Sequence, residues 1–202
     1  MNYLLLILFI AVFGSLLRDG LWSNTITLLT AVTAAVIATN YFEPVADLLT
    51  GFVPSMLHFW DLFALGLVFT LSYVLLRTIG TKLSRFRVRF HPPVDNFAGV
   101  FVAACTAWTA VMFVCFAMHL APLSRNFLSG SFDPEQKMFF GLEPDRKWLG
   151  FMQKLSNDGA WGRNVPGEAG TAATTFDPKS EFMLKYASRR DWLDKSLDTF
   201  VN

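Results

Sequence analysis

The sequence predicts an all-α integral membrane protein with four transmembrane helices, followed by a partly helical extramembrane C-terminal tail. Three observations lead to this prediction. The first 123 residues contain four long apolar stretches, and about 20 apolar helical residues are needed to cross a bilayer core. Most basic residues of this region lie in two short loops, as topogenic charges do. The hydrophobic content of 53% also exceeds that of an ordinary soluble domain.

The first apolar stretch, residues 2–17, predicts a short transmembrane helix. It lacks a basic N-terminal region and a small-residue cleavage site, so we expect a retained anchor and not a cleaved signal peptide. Arg18, Asp19 and Gly20 then predict a tight turn. The second stretch, residues 21–42, must return antiparallel to the first.

The second stretch is the most polar of the four. Ser23, Thr27 and Thr30 follow helical spacing and form one stripe. The stripe favours helix packing, with hydroxyls bonded to carbonyls one turn back, but it could also line a transport pathway. Small residues let helices approach closely in lipid. We therefore expect packing contacts at four alanines of this stretch: Ala31, Ala34, Ala35 and Ala38.

Residues 43–60 predict a separate, short amphipathic helix lying in the membrane interface. Apolar residues recur there at helical spacing between acidic ones. Pro44 suits the start of this helix, and Gly51 and Pro54 suit its end. Its acidic groups, without any Lys or Arg, agree with a location outside the cytoplasm.

The third span, residues 62–81, begins after Asp61, and Arg77 lies in its last turn. A long arginine side chain at that depth can reach the lipid headgroups. The basic loop that follows should remain cytoplasmic, which places both termini on the extracytoplasmic side. The residues assigned to topogenic or headgroup contacts are Arg18, Arg77, Lys82, Arg85, Arg87 and Arg89.

The fourth span, residues 97–120, is opened by Asp95. Gly99, Ala103 and Ala107 recur every four residues and predict a second close-packing seam. Cys105 and Cys115 lie on this one helix, ten residues apart, so they cannot form a disulfide with each other.

The tail, residues 124–202, has a different character. It carries eleven basic and eleven acidic residues, and this balance argues against a nucleic-acid partner. We expect a capping box at 133–136, a flexible loop over 157–175, and helices from Pro144, over 179–187 and from Ser188. Aromatic anchors commonly dominate interfaces. The predicted partner-docking residues are Trp148, Trp161 and Trp192.

Residues 1–123 resemble the colicin V production protein (CvpA) family. The resemblance is carried by Leu17–Gly20, by the small-residue second span, by the segment 41–52 and by the entry Asp95–Gly99, where members typically have aspartate and glycine. The chain departs from the family in lacking an acidic residue early in the first span and a basic residue within the fourth. The resemblance implies a bacterial inner-membrane protein linked to colicin V export and envelope homeostasis. Some relatives fuse this unit to an extracytoplasmic serine protease, which implies a tail outside the cytoplasm.

No catalytic, cofactor-binding or metal-binding motif is visible in the sequence. His58, His91 and His119 lie on different segments without metal-ligand spacing. The tail has no histidine, so it cannot assemble a Ser-His-Asp triad by itself. We therefore expect a non-enzymatic scaffold or accessory subunit in secretion or envelope homeostasis, with membrane lipid and unidentified proteins, or a second copy, as partners. The alternative is a channel or transporter subunit whose pathway the polar stripe would line.

Overall fold

The computed structural model describes residues 1–53, 56–84, 91–123, 137–157, 161–163 and 174–201, and the regular secondary structure of these residues is helical. Three helices are long and apolar enough to cross a membrane, whereas the first, at 15 residues, is shorter. An all-α membrane protein is thus confirmed, while a crossing by the first helix, and with it the count of four spans, remains a prediction. In chain order the helices are α1 (Asn2–Leu16), α2 (Leu21–Phe52), α3 (Leu57–Leu83), α4 (Pro92–Leu120), α5 (Pro144–Asn157) and α6 (Phe182–Val201).

The prediction of a separate interfacial helix at residues 43–60 is wrong. Helix α2 continues for 32 residues with Pro44 inside it. An internal proline removes one backbone hydrogen bond and costs about 3 kcal/mol. Phe42 and Ala46 flank Pro44, and both side chains are buried in the hydrophobic core. Burial of this last part of α2 outweighs the local preference for a break, so the amphipathic segment is an extension of the second span.

Helices α3 and α4 begin earlier than their apolar stretches indicate. The first turn of α3 precedes Asp61, and α4 starts with two prolines at its first two positions. Proline suits that place because its fixed φ matches the helix and its missing N–H would be unpaired there. Hydropathy alone therefore places both starts about one turn too late.

In the tail, α5 begins at Pro144 as predicted, but the two helices expected at 179–187 and from Ser188 form the single helix α6. The Ser188 hydroxyl donates a hydrogen bond to the Leu184 carbonyl one turn back, an arrangement that satisfies serine within a helix. Asp177 supplies the cap, since its carboxylate accepts the backbone N–H groups of Glu181 and Phe182 at 2.8 and 3.1 Å. The capping box at 133–136 and most of the loop at 157–175 lie outside the described residues.

Helix α4 is the centre of the packing and contacts each of the other five helices described above. The predicted small residues of α2 and α4 are buried, apart from Ala31, which is half-buried. Their small volume lets α2, α4 and their neighbours approach closely. The main core then continues into the tail through Trp148, Met152, Phe182 and Tyr186.

Large apolar side chains cover much of the outer surface of α1, α3 and α4. Ile7, Leu71 and Phe101 are 63%, 62% and 70% exposed. Contiguous apolar surface of this kind is unusual on a protein that faces water. It is the surface expected of helices that contact lipid tails.

We predict that Ala34→Leu and Ala38→Leu each lower the free energy of unfolding by about 1–3 kcal/mol, because both alanines are fully buried and a larger side chain overpacks the α2 interface. Thermal unfolding in mild detergent measures the effect. Ala11→Leu is the matched control, since Ala11 is exposed on α1. Wild-type stability of both α2 variants would place this face of α2 against lipid.

Candidate functional site

Asp95 of α4 caps the start of α2. Its Oδ1 accepts the backbone N–H of Leu21 at 2.9 Å, across a separation of 74 residues. The first N–H groups of a helix have no partner within that helix, and a carboxylate there also interacts favourably with the helix dipole. One acidic side chain therefore fixes where α2 begins relative to α4.

Asn24 joins three helices at the same place. Its Nδ2 atom lies 3.1 Å from the carbonyl oxygens of Leu16, Asp19 and Gly99, so two N–H groups are shared among three acceptors. The side chain is buried. Carbonyls at the end of a helix such as α1 have no intrahelical donor. We call Asp95, Asn24 and these carbonyls the α2–α4 junction.

Glycine at position 20 allows the close approach in this junction, whereas Gly99 has room for a Cβ atom. A Cβ atom on Gly20 would lie 3.2 Å from the Asp95 carboxylate, closer than most Cβ contacts. A Cβ on Gly99 would lie 3.4 Å from the Leu21 backbone nitrogen, in van der Waals contact. The Asp95–Gly99 entry and the Arg18–Gly20 turn, on which the family resemblance depends, thus meet in one structural unit.

The polar stripe of α2 is occupied by internal contacts. Arg77 of α3 donates to the Thr27 hydroxyl at 2.7 Å, and that hydroxyl donates to the Ser23 carbonyl at 2.9 Å. Thr27 and Thr30 are buried, and Ser23 is half-buried. Arg77 therefore links α3 to α2, a contact that the sequence did not indicate. Arg18 and Lys82 are exposed, whereas Arg85, Arg87 and Arg89 lie outside the described residues, so the topogenic role of these groups stays a prediction.

A second polar group, which we call the tail cluster, joins α4, α5 and α6. It consists of His119, Asp145 and Arg190, all buried. The His119 Nε2 atom lies 2.9 Å from Asp145 Oδ2, and Arg190 Nη2 lies 3.2 Å from His119 Nδ1 and 3.1 Å from the His119 carbonyl. A neutral imidazole with its proton on Nε2 satisfies both side-chain contacts, because Nδ1 is then free to accept from Arg190.

The charges of the tail cluster depend on one another. Burial raises the pKa of Asp145, but its hydrogen bonds with His119 and with backbone N–H groups outweigh that effect, so the net pKa lies below the ordinary value. Asp145 therefore contributes stability that is present above the pKa of an unfolded aspartate and is lost as the pH falls through its lower folded value. Burial lowers the pKa of Arg190, yet arginine stays protonated in proteins. The negative charge of Asp145 and the positive charge of Arg190 thus balance within the tail cluster.

Cations of the tail pair with Glu43 of α2 and Asp61 of α3. Arg163 and Lys185 lie 2.6 and 3.3 Å from the carboxylate of Glu43. Arg189 forms an ion pair with Asp61, which also accepts the Tyr186 hydroxyl at 3.3 Å. Burial and these two carboxylates raise the pKa of Tyr186, so it remains a neutral donor. The tail is therefore matched in charge to the end of the helix bundle on which it sits.

The three predicted docking tryptophans lie in different environments. Trp148 is 1% exposed, and its Nε1 donates to the Thr39 hydroxyl at 3.2 Å, so it anchors α5 to α2 of the same chain. Trp161 and Trp192 are 47% and 59% exposed. The backbone carbonyl of Trp161 accepts a hydrogen bond from Asn40 at 2.6 Å. Partner docking stays a prediction for Trp161 and Trp192.

The described residues do not bring together an accessible catalytic group. His119 and Asp145 are buried, and so is Cys115, one turn before His119. The described residues also contain no cluster of three or more metal-ligating side chains. A cavity of about 300 Å³ lies between α2 and the tail, lined by Asn40, Glu43, Arg163, Phe182 and Lys185 among others. Of its charged lining residues, Glu43 pairs with Arg163 and Lys185, and Asp177 caps α6, while Glu181 is exposed.

Comparison with known proteins gives one match. The model of the family described as Colicin V production protein matches residues 1–132 of the chain. This range contains α1 to α4, and with them the α2–α4 junction and His119 of the tail cluster. Neither a curated protein nor a solved structure matches the chain.

We predict that Asp95→Ala lowers the free energy of unfolding by about 0.5–2 kcal/mol, the usual cost of losing a helix cap. Asp95→Asn is the matched control, because its amide oxygen can still accept the Leu21 N–H. Thermal unfolding in detergent should place the asparagine variant close to wild type and the alanine variant well below it. Equal losses in both variants would show that the negative charge, and not the hydrogen bond, holds the junction.

Proposed function

The chain belongs to the colicin V production protein family, and on this premise we propose that it is a non-enzymatic scaffold or accessory subunit of the inner membrane, acting in secretion or envelope homeostasis. One observation carries the proposal. The polar groups that could suggest chemistry, in the α2–α4 junction and in the tail cluster, are bonded to other parts of the chain, and all of their side chains are buried except that of Asp95, which is half-buried. Groups used in this way hold helices together and have little access to a substrate.

The same reasoning favours a scaffold over a channel or transporter subunit. A transport pathway usually places ionisable groups near the bilayer midplane, facing a water-filled cavity. Along the chain, Asp61 lies in the second turn of α3 and Asp95 in the first turn of α4. Thr27, in the centre of the proposed lining, both accepts and donates a hydrogen bond within the protein. Such a stripe supports packing better than conduction.

We further propose that α1 crosses the membrane together with α2, α3 and α4, so that both termini are extracytoplasmic. Four crossings return the chain to its starting side, and the basic loop between α3 and α4 should remain in the cytoplasm. In this arrangement the tail covers the extracytoplasmic end of the bundle. The ion pairs at Glu43 and Asp61 support it, because they attach the tail to the ends of α2 and α3 away from that loop.

Cysteine labelling of intact cells checks this orientation. Ser180→Cys and Ser84→Cys are introduced separately after Cys105 and Cys115 have been replaced by alanine. Position 180 is exposed before α6, and position 84 follows α3. We expect an impermeant maleimide to label position 180 and not position 84 until the membrane is permeabilised. The reverse pattern would invert the proposed orientation.

The scaffold role predicts that partners are recognised by the exposed tryptophans of the tail. Trp161→Ala with Trp192→Ala should remove co-purifying proteins while leaving insertion and thermal stability intact, because both side chains are about half exposed. Truncation of an interface aromatic commonly costs about 2 kcal/mol or more. Purification of the full-length protein in mild detergent, with identification of the bound chains, is the measurement.

Leu184→Ala is the matched control, since Leu184 is exposed to the same degree on α6 but is not aromatic. A chain cut after Ser124 is less informative, because it also removes Trp148 and Met152 from the core. If the double tryptophan variant retrieves the same proteins as wild type, recognition does not use these two side chains.

A further inference from the structure

Helix α1 is too short to cross a bilayer alone. Its 15 residues span about 22 Å, whereas the hydrocarbon core is about 30 Å thick. Several of its side chains are nevertheless exposed and apolar, among them Leu4 and Ile7. Something next to an end of α1 must continue its lipid-facing surface if this helix is to span the membrane.

A turn of the tail, residues 138–143, packs on the N-terminal end of α1. The backbone N–H of Phe139 donates to Asn2 Oδ1 at 2.9 Å. The Phe139 ring is buried in a cluster with Leu5, and the Phe140 ring meets Tyr3 edge-to-face, with centroids 6.4 Å apart. The turn therefore extends the apolar surface of α1 beyond its N-terminal end, where the helix begins at Asn2.

The backbone of this turn holds its two adjacent aromatic rings in different environments. Phe139, Phe140 and Glu143 have φ values of 50°, 54° and 47°, in the left-handed region that aromatic residues rarely adopt. Hydrogen bonds from Leu142 N to the Phe139 carbonyl and from Glu143 N to the Met138 carbonyl close the turn at 3.0 and 3.2 Å. Phe139 is consequently buried, while Phe140 and Leu142 remain 61% and 45% exposed.

We propose that Phe140 and Leu142 form a lipid-binding surface that completes the transmembrane span of α1 at the boundary between acyl chains and headgroups. Two observations identify lipid as the occupant. The surface is continuous with exposed Tyr3 of α1 through the ring contact described above. Lys137 and Arg146 flank the turn with exposed side chains, 3.7 and 3.9 Å from the carboxylate of Glu143. Two cations beside one carboxylate leave a net positive charge, which suits lipid phosphates.

Site-directed spin labelling of the purified, full-length protein in nanodiscs of phosphatidylethanolamine and phosphatidylglycerol tests this proposal. A nitroxide is placed at Phe140→Cys, or at Leu142→Cys in a second variant, after Cys105 and Cys115 have been replaced by alanine. Ile7→Cys is the lipid standard, and Lys179→Cys, exposed before α6, is the aqueous standard. Collision rates with oxygen and with a water-soluble nickel chelate are measured at each position.

The expected result is that labels at 140 and 142 collide with the nickel chelate severalfold less often than the label at 179, and with oxygen nearly as often as the label at 7. Nickel access equal to that at 179 would show that the turn is in water and would overturn the proposal. Low access to both reagents would show contact with a second copy and would also overturn it. Neither outcome tests the scaffold function, because the nanodiscs contain only this protein and lipid, without a partner protein.

Discussion

The absence of water from the interior of a bilayer is the constraint on which the rest of this structure depends. Backbone and side-chain polar groups that cannot reach solvent must find partners within the chain. The end of α1, the start of α2 and the first turns of α4 share partners in this way, through the amide N–H groups of Asn24 and the carboxylate of Asp95, although the buried Asn24 Oδ1 atom has no hydrogen-bond partner. Two of the segments that resemble the family pattern, Leu17–Gly20 and Asp95–Gly99, thus meet at helix termini.

The tail is part of the fold through ion pairs and a shared apolar core. Its acidic and basic residues balance in number, but they are distributed unevenly in space. Cations from Arg163 to Arg190 face Glu43, Asp61 and the last turn of α4, while Trp148 and Phe182 fill the apolar space between them. A charged, aromatic segment that could be mistaken for a separate module is therefore continuous with the membrane domain's own core.

The features of the fold that depend on local sequence patterns were predicted correctly. Hydropathy located α2, α3 and α4, small-residue spacing located the buried alanines, and Pro144 marked the start of α5. Sequence reasoning failed where tertiary contacts overrule a local signal, as at Pro44 within α2 and at Ser188 within α6. It also missed the tail cluster, because no periodicity relates His119 to Arg190, 71 residues away. The one available signal for Asn24 was the presence of an asparagine within an apolar span, since a buried amide in lipid needs partners.

The ion pair between Asp61 and Arg189 joins residues 128 positions apart, and this separation has a consequence for biogenesis. Contacts between distant parts of a chain form late and slow the approach to the native state. Ribosomal synthesis delivers the second, third and fourth helices well before the arginine that neutralises Asp61. A newly inserted chain must therefore exist for a time with uncovered carboxylates and an unfilled aromatic core. During that interval its exposed apolar surface makes the chain prone to aggregation.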